Sequence, residues 1–84
     1  MPVYLAYFDS SGADQEGFEQ ESTCKRLAEG LYFVDTAETR SRLYHRIKRR
    51  LSKDAALLVA PLDQAPKFKS LEDGALKWIR RRLS

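Results

Sequence analysis

The sequence predicts a small α/β domain, and three observations carry that prediction. Short apolar runs rich in aromatic and branched residues recur at residues 3–8, 31–34 and 55–60, as in strands. Two longer segments, about 37–51 and 70–83, bring apolar residues to one side at helical spacing. Gly, Pro, Asp and Ser punctuate the stretches between. With a further strand read at about 23–29, the order is strand, helix, strand, strand, helix, strand, helix. Without its last helix this is β-α-β-β-α-β, the ferredoxin-like split unit. If residues 13–29 form one helix instead, the chain becomes a three-strand βαβαβα layer.

The first strand, VYLAYF, is apolar on both faces, as a central strand covered on each side should be. Asp9, Ser10, Ser11 and Gly12 then make a turn. Residues 14–22 are polar around a single anchor, Phe18, and Gly17 weakens a helix there by about 1 kcal/mol relative to Ala. Residues 23–29 either end that helix or form a strand that Gly30 turns into the next segment; a short helix followed by a strand is favoured. Leu31 to Val34 is a strand. Asp35 or Thr36 can cap the helix that follows, and Asp35 with Glu38 has capping-box spacing. That helix places Leu43, Tyr44, Ile47 and Leu51 on one face.

The apolar run ending at Ala60 reads as a buried strand, and Pro61 either ends it or marks a sheet edge. A loop containing Pro66 leads to Ser70, which can cap a last helix with Asp73 three residues on. Leu71, Ala75, Trp78, Ile79 and Leu83 form its apolar stripe. No internal repeat or disordered linker interrupts this order.

Eighty-four residues make one domain, 1–84, in which nearly every large apolar side chain is needed for the core. A deep, self-contained substrate pocket has little room. The single cysteine, Cys24, rules out an internal disulfide framework and fits a reducing cytoplasm. The first residues read as a strand rather than a signal peptide, and no apolar run has the length of a membrane span. The net charge of +3 hides an asymmetry. Residues 1–36 carry two basic against seven acidic side chains, a balance of −5, and residues 37–84 carry thirteen against five, a balance of +8. Such a molecule favours an acidic partner or a second copy of itself.

The basic helix faces are the most informative feature. At 100° per residue, Arg42, His45, Arg46 and Arg49 share the side opposite Leu43, Ile47 and Leu51. Lys77, Arg80 and Arg81 form a second stripe opposite Ala75 and Ile79. Cations repeated at helical spacing can neutralise several phosphates together, the basis of sequence-independent nucleic-acid affinity. The bland account is a solvated helix face, helped at Arg49, Arg50, Arg80, Arg81 and Arg82 by the helix dipole. His45 has no sequence-local partner of the metal or triad kind.

Asp9, at the end of the first strand, is the best single catalytic candidate, with Ser10 and Ser11 beside it. One carboxylate makes a poor divalent site, so a second Asp9 from a symmetric dimer would be needed; capping the following turn is the simpler role. Cys24 lacks a second cysteine and reads as a small core residue. Ser11-Gly12 has too few glycines for a phosphate loop. Tyr4, Tyr7, Tyr32 and Phe33 raise the alternative of bases stacking on an open sheet, and residues 29–34 partly match an RNA-recognition octapeptide through Gly30, Phe33 and Val34. Packing of these aromatics under the helices is the safer expectation.

The strand VYLAYF ending in Asp9, the stretch CKRLAEGLYFVDT, the helix with Leu43, Tyr44 and Ile47, and the run LLVA at 57–60 together resemble a known group. They look like the small CRISPR-associated spacer-acquisition proteins, the second of the Cas series, and their stand-alone relatives. The resemblance spans roughly residues 3–62. It implies a ferredoxin-like fold, a homodimer and association with nucleic acid. In some members it also implies a metal-dependent nuclease using the strand-end aspartate, here Asp9. Where that family usually ends in strands that complete the dimer, this chain ends in a basic helix.

The sequence therefore leads to a nucleic-acid-associated α/β protein that binds phosphate backbones and requires no cofactor. The second reading is an inhibitor, antitoxin or adaptor whose basic face engages an acidic protein. The third is a Mg²⁺-dependent endoribonuclease relying on Asp9.

Overall fold

The computed structural model describes residues 2–9, 17–19 and 23–83. Strand β1 (Val3–Phe8) is apolar on both sides, and this fits it to the middle of a sheet. It pairs antiparallel with β3 (Leu31–Asp35) on one side and with β4 (Leu57–Leu62) on the other, Tyr4 lying opposite Val34 and Pro61. β2 (Thr23–Ala28) pairs antiparallel with β3 and completes a four-stranded sheet of order β2-β3-β1-β4. Residues 23–28 are thus a strand, and the chain takes the ferredoxin-like arrangement rather than the three-strand layer. A register shift between Arg26 and Ala28 marks a bulge, and Leu27 there is buried. Gly30, at φ 76°, supplies the backbone turn into β3 that a side chain would hinder.

Alternation along the strands sends side chains to two separate cores. Tyr4, Ala6, Phe8, Tyr32 and Val34 face one way and pack with Phe18, Leu43 and Ile47. The last two come from helix α1 (Arg40–Lys48), and Phe18 from the helical residues 17–19. Val3, Leu27 and Phe33 face the other way, under Ala75 and Ile79 of helix α2 (Ala75–Arg80). Leu62, Phe68, Leu71, Trp78 and Leu83 pack around that second core. The sheet is therefore covered on both faces, with α1 and α2 on opposite sides.

This corrects the display of aromatics on an open sheet. Tyr4, Tyr32 and Phe33 are buried, and only Tyr7, at 44% exposure, reaches solvent. Phe8, Phe18 and Tyr32 pack ring to ring with centroids 5.2–5.6 Å apart. Phe33 stacks on Trp78 and meets Phe68 at a tilt, each with centroids 5.9 Å apart.

Both predicted helix caps also change. Thr39, not Asp35 or Thr36, caps α1, its hydroxyl accepting from the Arg42 N–H. Asp35 stays in β3, and Glu38 turns to other partners, so the helix begins later than its apolar pattern suggests. Ser70 lies at φ 65° and does not cap α2, which starts after Gly74 at φ 82°. The cause is a chain crossing: the Glu72 N–H donates to the Leu27 carbonyl, docking residues 70–74 against β2 before the helix turns.

Candidate functional site

α1 buries Leu43 and Ile47 and leaves Arg42, His45 and Arg49 exposed on its outer side, with Arg40, Ser41 and Lys48 beside them. No carboxylate lies within the helix. Arg49 reaches back to the His45 carbonyl at 3.4 Å, and the His45 ring meets Tyr44 edge-on. Basic residues in the last turn suit the helix dipole. Arg40 and Arg42 stand in the first turn, where a positive charge works against it. Helix stability therefore accounts for Arg49 but not for these two.

Arg46, grouped with this face by its sequence spacing, is committed elsewhere. Its guanidinium donates to both carboxylate oxygens of Glu38 at 2.7–3.1 Å and lies 5.9 Å from the centre of the Phe18 ring. The arginine's hydrogen bonds hold the Glu38 carboxyl below its ordinary pKa, with the Thr36 hydroxyl helping against partial burial. The Tyr4 hydroxyl donates to the Glu38 carbonyl at 2.9 Å, tying the start of α1 to β1.

On the opposite face, Lys77, Arg80 and Arg81 are exposed along α2. Arg82, which sequence spacing did not single out, turns inward. Its guanidinium stands 3.7 Å from the centre of the Trp78 ring and donates to Asp35 at 2.8 Å. A second pair, Arg26 with Glu72, secures the residues leading into α2. These ion pairs join the acidic N-terminal half of the chain to its basic C-terminal half. They also separate cations that hold the fold from cations directed outward.

The two basic faces are not one surface. The sheet stands between them in a molecule measuring 35 × 27 × 20 Å. One straight duplex cannot lie against both.

Asp9 is exposed at the end of β1, its N–H donating to the Ala56 carbonyl at 3.0 Å. Among the described residues, no group of three or more His, Cys, Asp or Glu side chains is placed to hold a metal ion. Ser10, Ser11 and Gly12 lie outside the described residues, as do residues 13–16 and 20–22 of the predicted first helix. Cys24 is a free, half-buried thiol whose pKa burial pushes up to about 11. That suppresses the thiolate a nucleophile needs. The Tyr32 hydroxyl donates to Glu19 at 2.8 Å and is raised in pKa, first by burial and then by that bond. Among the described residues no helix is long and apolar enough to cross a membrane.

No protein-family model, curated protein or solved structure matches the chain significantly.

Proposed function

We propose that this chain is a small nucleic-acid-associated protein that binds phosphate backbones on the outer face of α1. One observation carries the reading: Arg42, His45 and Arg49 are exposed together on a helix with no carboxylate of its own, and Arg40 and Arg42 oppose its dipole. Arg42 and Arg49 lie about 10 Å apart along the axis at ~1.5 Å per residue. Measured along a duplex axis, that length spans about three phosphates of one strand at a rise of ~3.4 Å each. Arg46 serves this face indirectly, by holding Glu38 in an ion pair. Binding of this kind reads no base sequence.

The resemblance to the spacer-acquisition proteins adds a homodimer and, for Asp9, a Mg²⁺-dependent ribonuclease. The outer edge of β4 pairs with no strand among the described residues. Leu58 there is 53% exposed beside Tyr7, giving a second copy an edge to approach. A dimer would double the number of phosphate contacts.

The test is binding of short labelled RNA and DNA, single- and double-stranded, across a salt series with and without Mg²⁺. Steeply salt-dependent binding is expected. The Arg42→Glu/Arg49→Glu variant should bind more weakly and show a salt slope lower by about two. Binding indifferent to salt, or none at low salt, sinks the proposal. Cleavage that appears with Mg²⁺ and disappears in Asp9→Ala would move the chain to the nuclease reading.

A further inference from the structure

The outer side of α2 differs in kind from that of α1. Two open depressions flank α2 and share Leu76 and Arg80. One is bounded by residues 65–68, with Phe68 in its wall and Lys67 at its rim; the other carries Lys77 and Arg81. Four cations thus surround an apolar ridge, and among the described residues no carboxylate lines either depression. Leu76 is 40% exposed, although Ala75 and Ile79 already fill the helix's buried face.

A leucine in this position does nothing for phosphate binding. Phosphate oxygens need donors, and bases need aromatic faces to stack on. The Phe68 ring tilts against Phe33 and is only partly open to the depression, so Leu76 is the exposed large apolar side chain of this surface. Carbon ringed by cations fits a ligand that brings apolar side chains and carboxylates together. Arginine beside an apolar anchor is also the composition of energetic centres in protein interfaces.

We propose that the α2 surface, around Leu76 and between Lys67, Lys77, Arg80 and Arg81, docks an acidic peptide segment of a partner protein that carries an apolar anchor. The anchor's apolar side chain lies against Leu76 and Phe68, and its flanking Asp or Glu residues meet the four cations. The site is independent of the phosphate-binding face, because the sheet separates the two helices. The same chain can then hold a nucleic acid on one side and a protein on the other.

The test is selection from a random displayed peptide library on the full chain, followed by affinity measurement of the enriched peptides. Enriched sequences should combine Asp or Glu with Leu, Phe or Trp. Their affinity should fall at least about tenfold for Leu76→Asp and for Arg80→Glu, the cost of losing one buried apolar anchor or one charged pair. It should be unchanged by Arg42→Glu/Arg49→Glu. Leu76 and Arg80 both lie outside the core, and a thermal melt of each variant verifies folding. The proposal is overturned if nothing is enriched, if the enriched peptides are not acidic, or if they bind folded Leu76→Asp as well as the parent. Displacement of the peptide by a single-stranded oligonucleotide would overturn it too, giving this surface to nucleic acid.

Discussion

The two covers of the sheet are built differently. α1 belongs to the connection between β3 and β4, so the chain must cross that face to complete the sheet. Its nine residues bring two buried side chains onto a core already rich in strand aromatics. Polar ends in this layer find partners beside the core: the Tyr4 hydroxyl bonds the Glu38 carbonyl and the Tyr32 hydroxyl bonds Glu19. α2 follows the last strand and connects nothing further among the described residues. It is a six-residue helix secured at its two ends, by Arg26 with Glu72 and by Arg82 with Asp35. One cover is built into the connection between two strands, and the other is held by bonds at its ends. The first leaves a uniformly polar outer face and the second leaves exposed carbon beside its cations.

The largest test of this difference lies in the cores. Phe33→Ala removes the ring that joins Trp78 and Phe68 beneath α2. It should cost about 3–5 kcal/mol in chemical denaturation. Total stability for a chain of this length is on the order of 4–13 kcal/mol. Tyr32→Phe on the other side keeps the packing and removes one hydroxyl bond to Glu19, so its cost should be about 1 kcal/mol. Equal losses would mean that the α2 layer contributes little to stability.

Next in size is the clasp of α2. Arg82→Met keeps some of the stem against Trp78 but leaves the partly buried Asp35 carboxylate without its ion-pair partner. A loss of about 1–3 kcal/mol is expected. Amide hydrogen exchange should rise in α2 and residues 65–74 while α1 stays protected. Uniform loosening of both helices would show that the covers are one cooperative unit.

The same contrast explains what could be read from sequence. β1 and β3 are legible because their apolar runs are largely buried. β4 is legible from its continuous apolar run, but it is not the buried strand expected, because it lies at the sheet edge with Leu58 and Pro61 exposed. β2 has no such run. Thr23, Lys25 and Arg26 are polar, and Leu27 is its one buried side chain, so its strand identity comes from pairing with β3, a tertiary effect that overrides local preference. Helical spacing found the outward cations of both helices, but neither the inward turn of Arg82 nor the acidic partners of Arg46 and Arg82. Glu38 lies outside the helix that carries Arg46, and Asp35 lies 47 residues from Arg82. No periodicity carries such pairings. The sequence reading does not single out Leu76, although its place off the Ala75–Ile79 stripe, next to Lys77, could have marked it. An apolar residue in the polar sector of a short helix is the signal that leads to the proposed second surface.

Charge removal should sharpen the comparison in solution. Arg42→Gln/Arg49→Gln is expected to lower the salt slope of nucleic-acid binding by about two, and Lys77→Gln/Arg81→Gln to leave it nearly unchanged. If both doubles lower it equally, the two faces act together on a nucleic acid that wraps the molecule.

The smallest expected effect separates the two kinds of ion pair by pH. Arg46 holds the Glu38 carboxyl below its ordinary range, so the folded state binds this proton less readily than the unfolded chain. The pair's stabilisation is therefore fully present above the ordinary carboxylate pKa and is lost as pH falls through the lowered folded value. With both side chains partly exposed, it should amount to no more than about 1 kcal/mol. Glu38→Gln should remove that part of the acid-side slope when stability is followed from neutral pH downwards. Its effect should be local, because the Tyr4 hydroxyl bonds the Glu38 backbone carbonyl rather than its carboxylate, and the substitution leaves that bond in place. An unchanged acid slope would mean that Arg46 contributes through its position over Phe18 rather than through its charge.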